Sequence, residues 1–353
     1  MVDRDCSESL REQVADARER HVALRIRTAA TRAFYGRAVS GEPLDVGGHR
    51  GIIDYQPSEL VVTVRAGTPL AELEAELARH GQMLAFEPPR FGASTIGGAV
   101  ATAMSGPRRP YAGAVRDFVL GVRCLNGRAE LLSFGGRVMK NVAGYDVSRL
   151  MSGAFGTLGV LLDISLKVLP LARQELTFER QCEPGEAIRL MNAWAGKPLP
   201  LSASAHDGEV LRVRLGGAHS AVRAASASMG ADGCREQPEY WQRLRDQQLP
   251  FFGGNGRLWR LSVPPASAPL QLAGKQYIEW GGALRWLSSD EDAALIRGTV
   301  GALGGHASLY RGARADEPVF HPLAPAMMQL QRRIKQAFDP AGILDPGRMY
   351  PEI

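Results

Sequence analysis

Arg90-Phe91-Gly92-Ala93-Ser94-Thr95-Ile96-Gly97-Gly98 opens the stretch that decides the fold, and Gly156-Thr157-Leu158-Gly159-Val160 closes it. Between them stand Arg116-Asp117 and Gly144-Tyr145-Asp146. Glycines sit beside hydroxyl residues at two separated places, each next to an apolar, strand-like run. Glycine lets the backbone approach a ligand closely and take positive φ, and successive N–H groups then form an anion-binding concavity. Ser94, Thr95 and Thr157 add hydroxyl donors. The pattern suits a phosphate-bearing cofactor. Taken alone, the pentapeptide 94–98 favours an ordinary tight turn, and Gly156 and Gly159 also suit the packing of a helix on a strand; both roles can hold at once.

Working outward, 353 residues suggest two domains. A hydrophobic share of 45% with 22% charged residues suits a globular chain with a sizeable core. The net charge of +5 favours anionic ligands, a membrane surface or nucleic acid. The charges are scattered, however, and only Arg108-Arg109 and Arg332-Arg333 cluster, so no nucleic-acid partner is expected. Cys6, Cys124, Cys182 and Cys234 contain no CxxC pair, which argues against a metal or iron–sulfur site held by this chain alone. Met1-Val2-Asp3-Arg4-Asp5 is too charged to open a signal segment. The apolar run Leu158 to Leu171 is broken by Asp163 and Lys167, so no spanning segment is expected. The expected location is the cytoplasm, with any membrane attachment made through partners.

Local patterns give the element order. Residues 7–20 read as a helix with Leu10, Val14 and Ala17 on one stripe, and 22–26 as a strand. A small-residue loop, 27–35, ends at Gly36. Short strands follow at 44–46 and 51–55, then the β-branched run Leu60-Val61-Val62-Thr63-Val64. Leu70, Leu73 and Leu77 mark a helix at about 69–80, stopped by Gly81. Strands at 118–125 and 130–134 flank Asn126-Gly127, a hairpin turn. Another strand runs from Val160 to Leu169. A last helix, about 325–338, leads into an ordered tail rich in turn residues. This mixture is α+β.

Several segments now bear a family likeness. Ser94-Thr95-Ile96-Gly97-Gly98, Arg116-Asp117, Gly156-Thr157-Leu158-Gly159 and the tail Asp339-Pro340-x-Gly342-x-Leu344-Asp345-Pro346-Gly347 resemble the FAD-linked oxidases of the vanillyl-alcohol oxidase and p-cresol methylhydroxylase type. Met139 to Asp146, Gln248 to Phe252, Trp280 to Trp286 and Pro346 to Tyr350 are similar, within that family, to FAD-binding subunits of bacterial glycolate oxidases. The resemblance spans nearly the whole chain.

It implies a two-subdomain FAD-binding domain over 1–172, an α+β cap domain over 173–325, and a C-terminal helix and tail, 326–353, returning to the FAD domain. It implies non-covalent FAD, its diphosphate held by Thr28, Ala29, Ala30, Thr31 and Arg32 and by Ser94, Thr95, Ile96, Gly97 and Gly98. Arg116, Asp117, Gly144, Gly156, Thr157, Gly159 and Val160 complete the implied cofactor set. Lys140, Asn141 and Tyr145 are placed near the flavin. Relatives usually carry glycines in the first phosphate loop, whereas residues 27–33 have none. Thr28 in the family conformation would be strained by about 1–2 kcal/mol, with the Thr28 and Thr31 hydroxyls compensating. That loop also lacks His and Cys, so no covalent flavin link is expected there. Asp345 stands where relatives often have Asn.

Hydroxy-acid oxidation needs a base while hydride goes to the flavin. The seven histidines show no paired motif; His306 and His321, in the cap, are the candidate bases, and Arg285 the candidate carboxylate clamp. Trp259, Trp280 and Trp286 read as core. The implied function is that of an FAD-binding subunit in glycolate oxidation, working with a larger FAD-containing subunit and an iron–sulfur subunit. A self-sufficient D-lactate-like dehydrogenase, or a scaffold that has lost its flavin, are the alternatives.

Overall fold

The computed structural model describes residues 3–136, 146–230, 234–314 and 317–353. The first half is built on a five-stranded antiparallel sheet. Its order is Ile52–Gln56, Val61–Arg65, Val160–Lys167, Val119–Leu125, Leu131–Gly135. The β-branched run forms the second strand, and all five of its residues are buried. A β-branched residue packs well on a pleated surface, so a strand covered on both faces suits it. The helix Leu70–Arg79 buries Leu70, Leu73 and Leu77, the stripe its spacing predicts. The helix Ser7–Glu19 likewise buries Leu10, Val14 and Ala17.

Leu24–Arg27 pairs in parallel with Glu42–Asp45. The chain between those two strands is the loop that faces a cavity of about 320 Å³. The C-terminal tail completes this layer: Leu24 bridges Leu344, and the Leu24 N–H donates to the Ile343 carbonyl. Ile343 and Leu344 are buried in the same core as Leu10 and Val64. The tail is ordered because its carboxylates and apolar residues are used.

One local expectation changes. The hairpin after Val119–Leu125 closes over five residues rather than over Asn126-Gly127 alone. The Asn126 side-chain oxygen accepts from the N–H groups of Arg128 and Glu130, and Ala129 takes the left-handed conformation at φ 61°. Asparagine here organises the turn through its side chain.

The second half carries a seven-stranded antiparallel sheet in the order Gln174–Gln181, Val210–Gly217, Leu201–His206, Lys275–Glu279, Leu284–Ser288, Leu258–Ser262, His306–Arg311. The helices Pro184–Ala195 and Ala293–Ala302 bury apolar residues of its cores. An aromatic cluster that includes Tyr35, Phe155, Trp286 and Tyr310 joins this sheet to the first half. Among the described residues no helix is long and apolar enough to cross a membrane.

Candidate functional site

Two loops meet to make the floor of a cavity of about 320 Å³. The first runs on from the strand Leu24–Arg27. The second holds Ser94 and Thr95 and leads into the helix Ile96–Ala101, which Thr95 caps. Two hydroxyl pairs stitch the loops together: Thr28 with Thr95 at 2.9 Å, and Thr31 with Ser94 at 3.1 Å. Ser94 also closes its own turn, accepting from the Phe91 N–H at 2.8 Å and donating to the Phe91 carbonyl at 2.9 Å.

Arg32 decides what the cavity suits. Its side chain is buried, with 6% exposure, and has no carboxylate within ion-pairing distance among the described residues. One terminal nitrogen donates to the Pro89 carbonyl at 2.6 Å, while its Nε has no partner. Burial pushes the guanidinium down to about 10, still charged at neutral pH. A buried cation without an anion is costly. A ligand bringing negative charge relieves that cost.

The surrounding chemistry agrees. The N–H groups of Thr28, Ala29, Ala30 and Thr31 make no hydrogen bond to the rest of the described chain. Gly98 has no Cβ where one would sit 3.6 Å from the Arg32 guanidinium and 3.8 Å from the Thr28 hydroxyl, so the cradle stays open. Small residues, among them Ala30, Ala66, Ala101, Ala154, Gly156 and Gly159, line the remainder. These residues fit a diphosphate joined to flat rings, as in FAD.

The first loop meets the absence of glycine in its own way. Ala30, at φ 53°, takes the left-handed conformation, and Thr28 does not. The strain expected at Thr28 therefore falls on the residue with the smallest side chain that still has a Cβ. Arg348 holds the loop, donating to the carbonyls of Arg32, Ala33, Tyr35 and Arg37. Gly36, at φ +103°, is required there, because a Cβ would lie 2.9 Å from the Arg348 Nε.

The other sequence candidates divide. Thr28, Ala30, Thr31, Arg32, Gly97, Gly98, Gly156 and Gly159 line the cavity. Ser94 and Thr95 support it from behind. The Ile96 and Gly97 N–H groups are taken by the carbonyls of Thr68 and Ala66, at 3.0 and 2.8 Å, so they are not bare donors. Ala29, Thr157 and Val160 do not line it; Thr157 uses its hydroxyl on the Ala154 carbonyl, and Val160 is buried in the sheet. Arg116 and Asp117 form a loose surface pair at 3.9 Å, away from both cavities, and Asp117 caps a short helical turn through the Ala114 N–H. Gly144, like Lys140, Asn141 and Tyr145, lies outside the described residues.

The catalytic candidates are not brought to this cavity. Arg285 is fully buried and donates to the carbonyls of Gly282 and Ser267, at 2.6 and 3.0 Å. Its Nε and one terminal nitrogen are thus tied to backbone, while Nη1 is buried without a partner among the described residues. His306 is exposed at a strand start, and the His321 Nδ1 accepts from the Ala307 N–H at 3.3 Å. Neither lines this cavity or the second one described below.

A second cavity of about 200 Å³ meets the first at Thr102 and Phe155, which line both. Sequence reasoning missed its polar residues: Glu279, Arg260, Gln247 and Tyr310. No motif marks them. They converge only because the large sheet turns one face toward the first half of the chain. Sequence reasoning also missed Asp345 and Arg348 as lining residues of the first cavity. The Asp345 carboxylate accepts from the Ile26 N–H at 3.2 Å, and burial pushes it up to about 7.

Comparison with known proteins fits this geometry. Residues 5–135 match a family model described as an FAD binding domain. The chain is 46% identical over 350 residues to glycolate oxidase subunit GlcE of Escherichia coli, covering 99% of each chain. It is 30% identical over 119 residues to glycolate oxidase subunit GlcD of Bacillus subtilis, covering 34% of this chain and 25% of that one. Among solved structures, alkyldihydroxyacetonephosphate synthase superposes with a TM-score of 0.69 at 14% identity, covering 96% of this chain and 75% of the other. That likeness is one of fold. Fold and cavity together define an FAD-linked oxidoreductase, α+β in class, with FAD as its cofactor. Within that class the chain belongs to the family of the glycolate oxidase subunit GlcE.

Proposed function

We propose that this chain is the FAD-binding subunit of a glycolate-oxidising complex and takes part in the conversion of glycolate to glyoxylate. The carrying observation is Arg32, a buried cation without an anion on the floor of a cavity lined by free backbone N–H groups and small residues. The 46% identity to a glycolate oxidase subunit supports the assignment. Non-covalently bound FAD supplies a two-electron sink. Arg32, Gly98 and the N–H groups of Thr28, Ala30 and Thr31 hold its diphosphate, and Arg348 keeps their loop in place.

The proposal includes partners. A larger FAD-containing subunit and an iron–sulfur subunit receive or share the electrons, since the four cysteines of this chain lie far apart in sequence. Any membrane contact is made through them. The division into an FAD domain (1–172), a cap (173–325) and a returning tail (326–353) belongs to the same reading. It is supported by the separate cores of the two large sheets.

The test is the absorption spectrum of the purified full chain. A yellow protein whose FAD is released by acid is the expected result, with glycolate-dependent dye reduction in the co-expressed complex. A chain that stays colourless after incubation with FAD overturns the reading. The alternative of a self-sufficient D-lactate dehydrogenase rests on matches that span 36% of the chain or less; dye reduction by D-lactate with this chain alone would revive it.

A further inference from the structure

The second cavity contains two charged side chains with unusual freedom. Glu279 is buried, at 4% exposure, and one carboxylate oxygen accepts from the Trp286 indole N–H at 2.7 Å. The other oxygen takes no hydrogen bond within the described chain. Arg260 lines the same cavity with no carboxylate in ion-pairing range among the described residues, its guanidinium lying 5.1 Å from the Trp280 ring. By contrast, Arg245 on the same wall is locked to Asp246 at 2.7 Å, and nearby Glu87 is locked to Arg108 and Arg214.

Sheet geometry puts the two groups together. Arg260 pairs with Trp286 on one side and Ser308 on the other, and Tyr277 pairs with Trp286. Directly paired residues share a face, and Glu279, two residues beyond Tyr277, returns to it. The face therefore presents a cation, an unsatisfied carboxyl and the Tyr310 hydroxyl, which accepts from Gln247 at 2.9 Å. All of them line a cavity that shares Thr102 and Phe155 with the cavity assigned to FAD.

We propose that this cavity is a binding site for a small 2-hydroxy carboxylate, with Arg260 holding the carboxylate and Glu279 accepting the hydroxyl proton. The inference rests on the FAD-binding role proposed above. The chemistry balances: the substrate O–H would give its proton to Glu279, bound oxidised FAD would supply the acceptor for the hydride released from the α C–H bond, and the C–O bond would become C=O. Glu279 suits the task because burial pushes its carboxyl up to about 7, near the working pH of a general base. The charged and titratable groups facing it are Arg260, Glu87, Tyr240 and Tyr277.

The experiment titrates the full FAD-loaded chain with oxalate, a non-oxidisable dicarboxylate, followed by calorimetry and by the visible flavin spectrum. Wild type should bind oxalate, less tightly as the pH rises through 7 and Glu279 becomes charged. Arg260→Met should weaken binding about 10–100-fold, and Arg260→Lys, which keeps the charge and the fold, should weaken it less. Glu279→Gln should still bind, with the pH dependence gone. In anaerobic single turnovers with glycolate, Glu279→Gln should bleach the flavin at least about 100-fold more slowly than wild type. Failure of wild type to bind oxalate, or equal binding by Arg260→Met, overturns the site. Wild type that binds oxalate yet is never bleached by glycolate overturns the role of Glu279 as base. If the chain takes up no FAD, the functional proposal falls, and oxalate calorimetry on the flavin-free chain and on Arg260→Met still decides for or against the carboxylate site.

Discussion

Gly97 and Gly98 are neighbours with different obligations. A Cβ on Gly97 would lie 2.7 Å from both the Cβ and the carbonyl oxygen of Ala66, against backbone that cannot move aside. Gly97→Ala should therefore lower fold stability by about 1–3 kcal/mol, read as a drop in denaturant midpoint. A Cβ on Gly98 would meet only side-chain atoms at ordinary contact distance, the Thr95 hydroxyl at 3.4 Å and Arg32 at 3.6 Å, so Gly98→Leu should leave the fold intact and remove bound flavin; a yellow Gly98→Leu protein would show that the diphosphate lies elsewhere. Arg32→Met removes the buried cation. It should stabilise the flavin-free chain, since an unpaired buried charge is costly, while weakening FAD about 10–100-fold. Parallel melting curves with and without FAD check both halves. Asp345 supplies a pH dependence. Its carboxyl, buried and raised to about 7, faces Arg348, Lys335 and Arg25 and shares the cavity with the expected phosphates. A raised carboxyl favours the folded, protonated form at low pH, and that stability is lost as pH rises through 7. Fluorescence titration should find FAD affinity falling across pH 6–8, and Asp345→Asn flattening the curve.

At the scale of elements, the helix Pro325–Phe338 is fastened to the first half chiefly at its end. The Lys335 ammonium donates to the carbonyls of Thr157 and Leu344 and to the Asp339 carboxylate, with Nζ to oxygen distances of 2.7–2.8 Å. Asp339 in turn accepts from the N–H groups of Ile343 and Leu344. Asp339→Ala leaves Lys335 buried without its counter-charge and two backbone donors unpaired, a loss of about 3–5 kcal/mol. Thermal unfolding would read it, and a change under about 1 kcal/mol would mean that the tail is held by apolar contacts instead. The same anchor carries Arg348 to the phosphate loop. Loosening the tail should therefore also loosen flavin.

At the scale of the molecule, the large sheet and the first half share an aromatic cluster, with the second cavity lined from both sides of it. Ligand binding at such a place stabilises the whole fold by mass action. FAD at about 100 times its Kd should add about 2.7 kcal/mol, visible as a higher melting temperature that rises further with FAD concentration. A melting temperature indifferent to FAD would contradict binding to the native state.

Sequence determined what depends on short range. Helix stripes such as Leu70, Leu73 and Leu77 and the β-branched strand Val61–Arg65 follow from periodicity, and they stand where their spacing places them. It did not locate the left-handed residue of the glycine-free loop, Ala30, nor the clamp that Arg348, more than 300 residues away, places on the carbonyls that follow it. Nor did it distinguish Arg285, tied to backbone carbonyls, from Arg260, open to a cavity, although both stand on neighbouring strands of one sheet. Alternation along a strand sets which face a residue takes. Which face meets a cavity is decided only when the two halves of the chain come together.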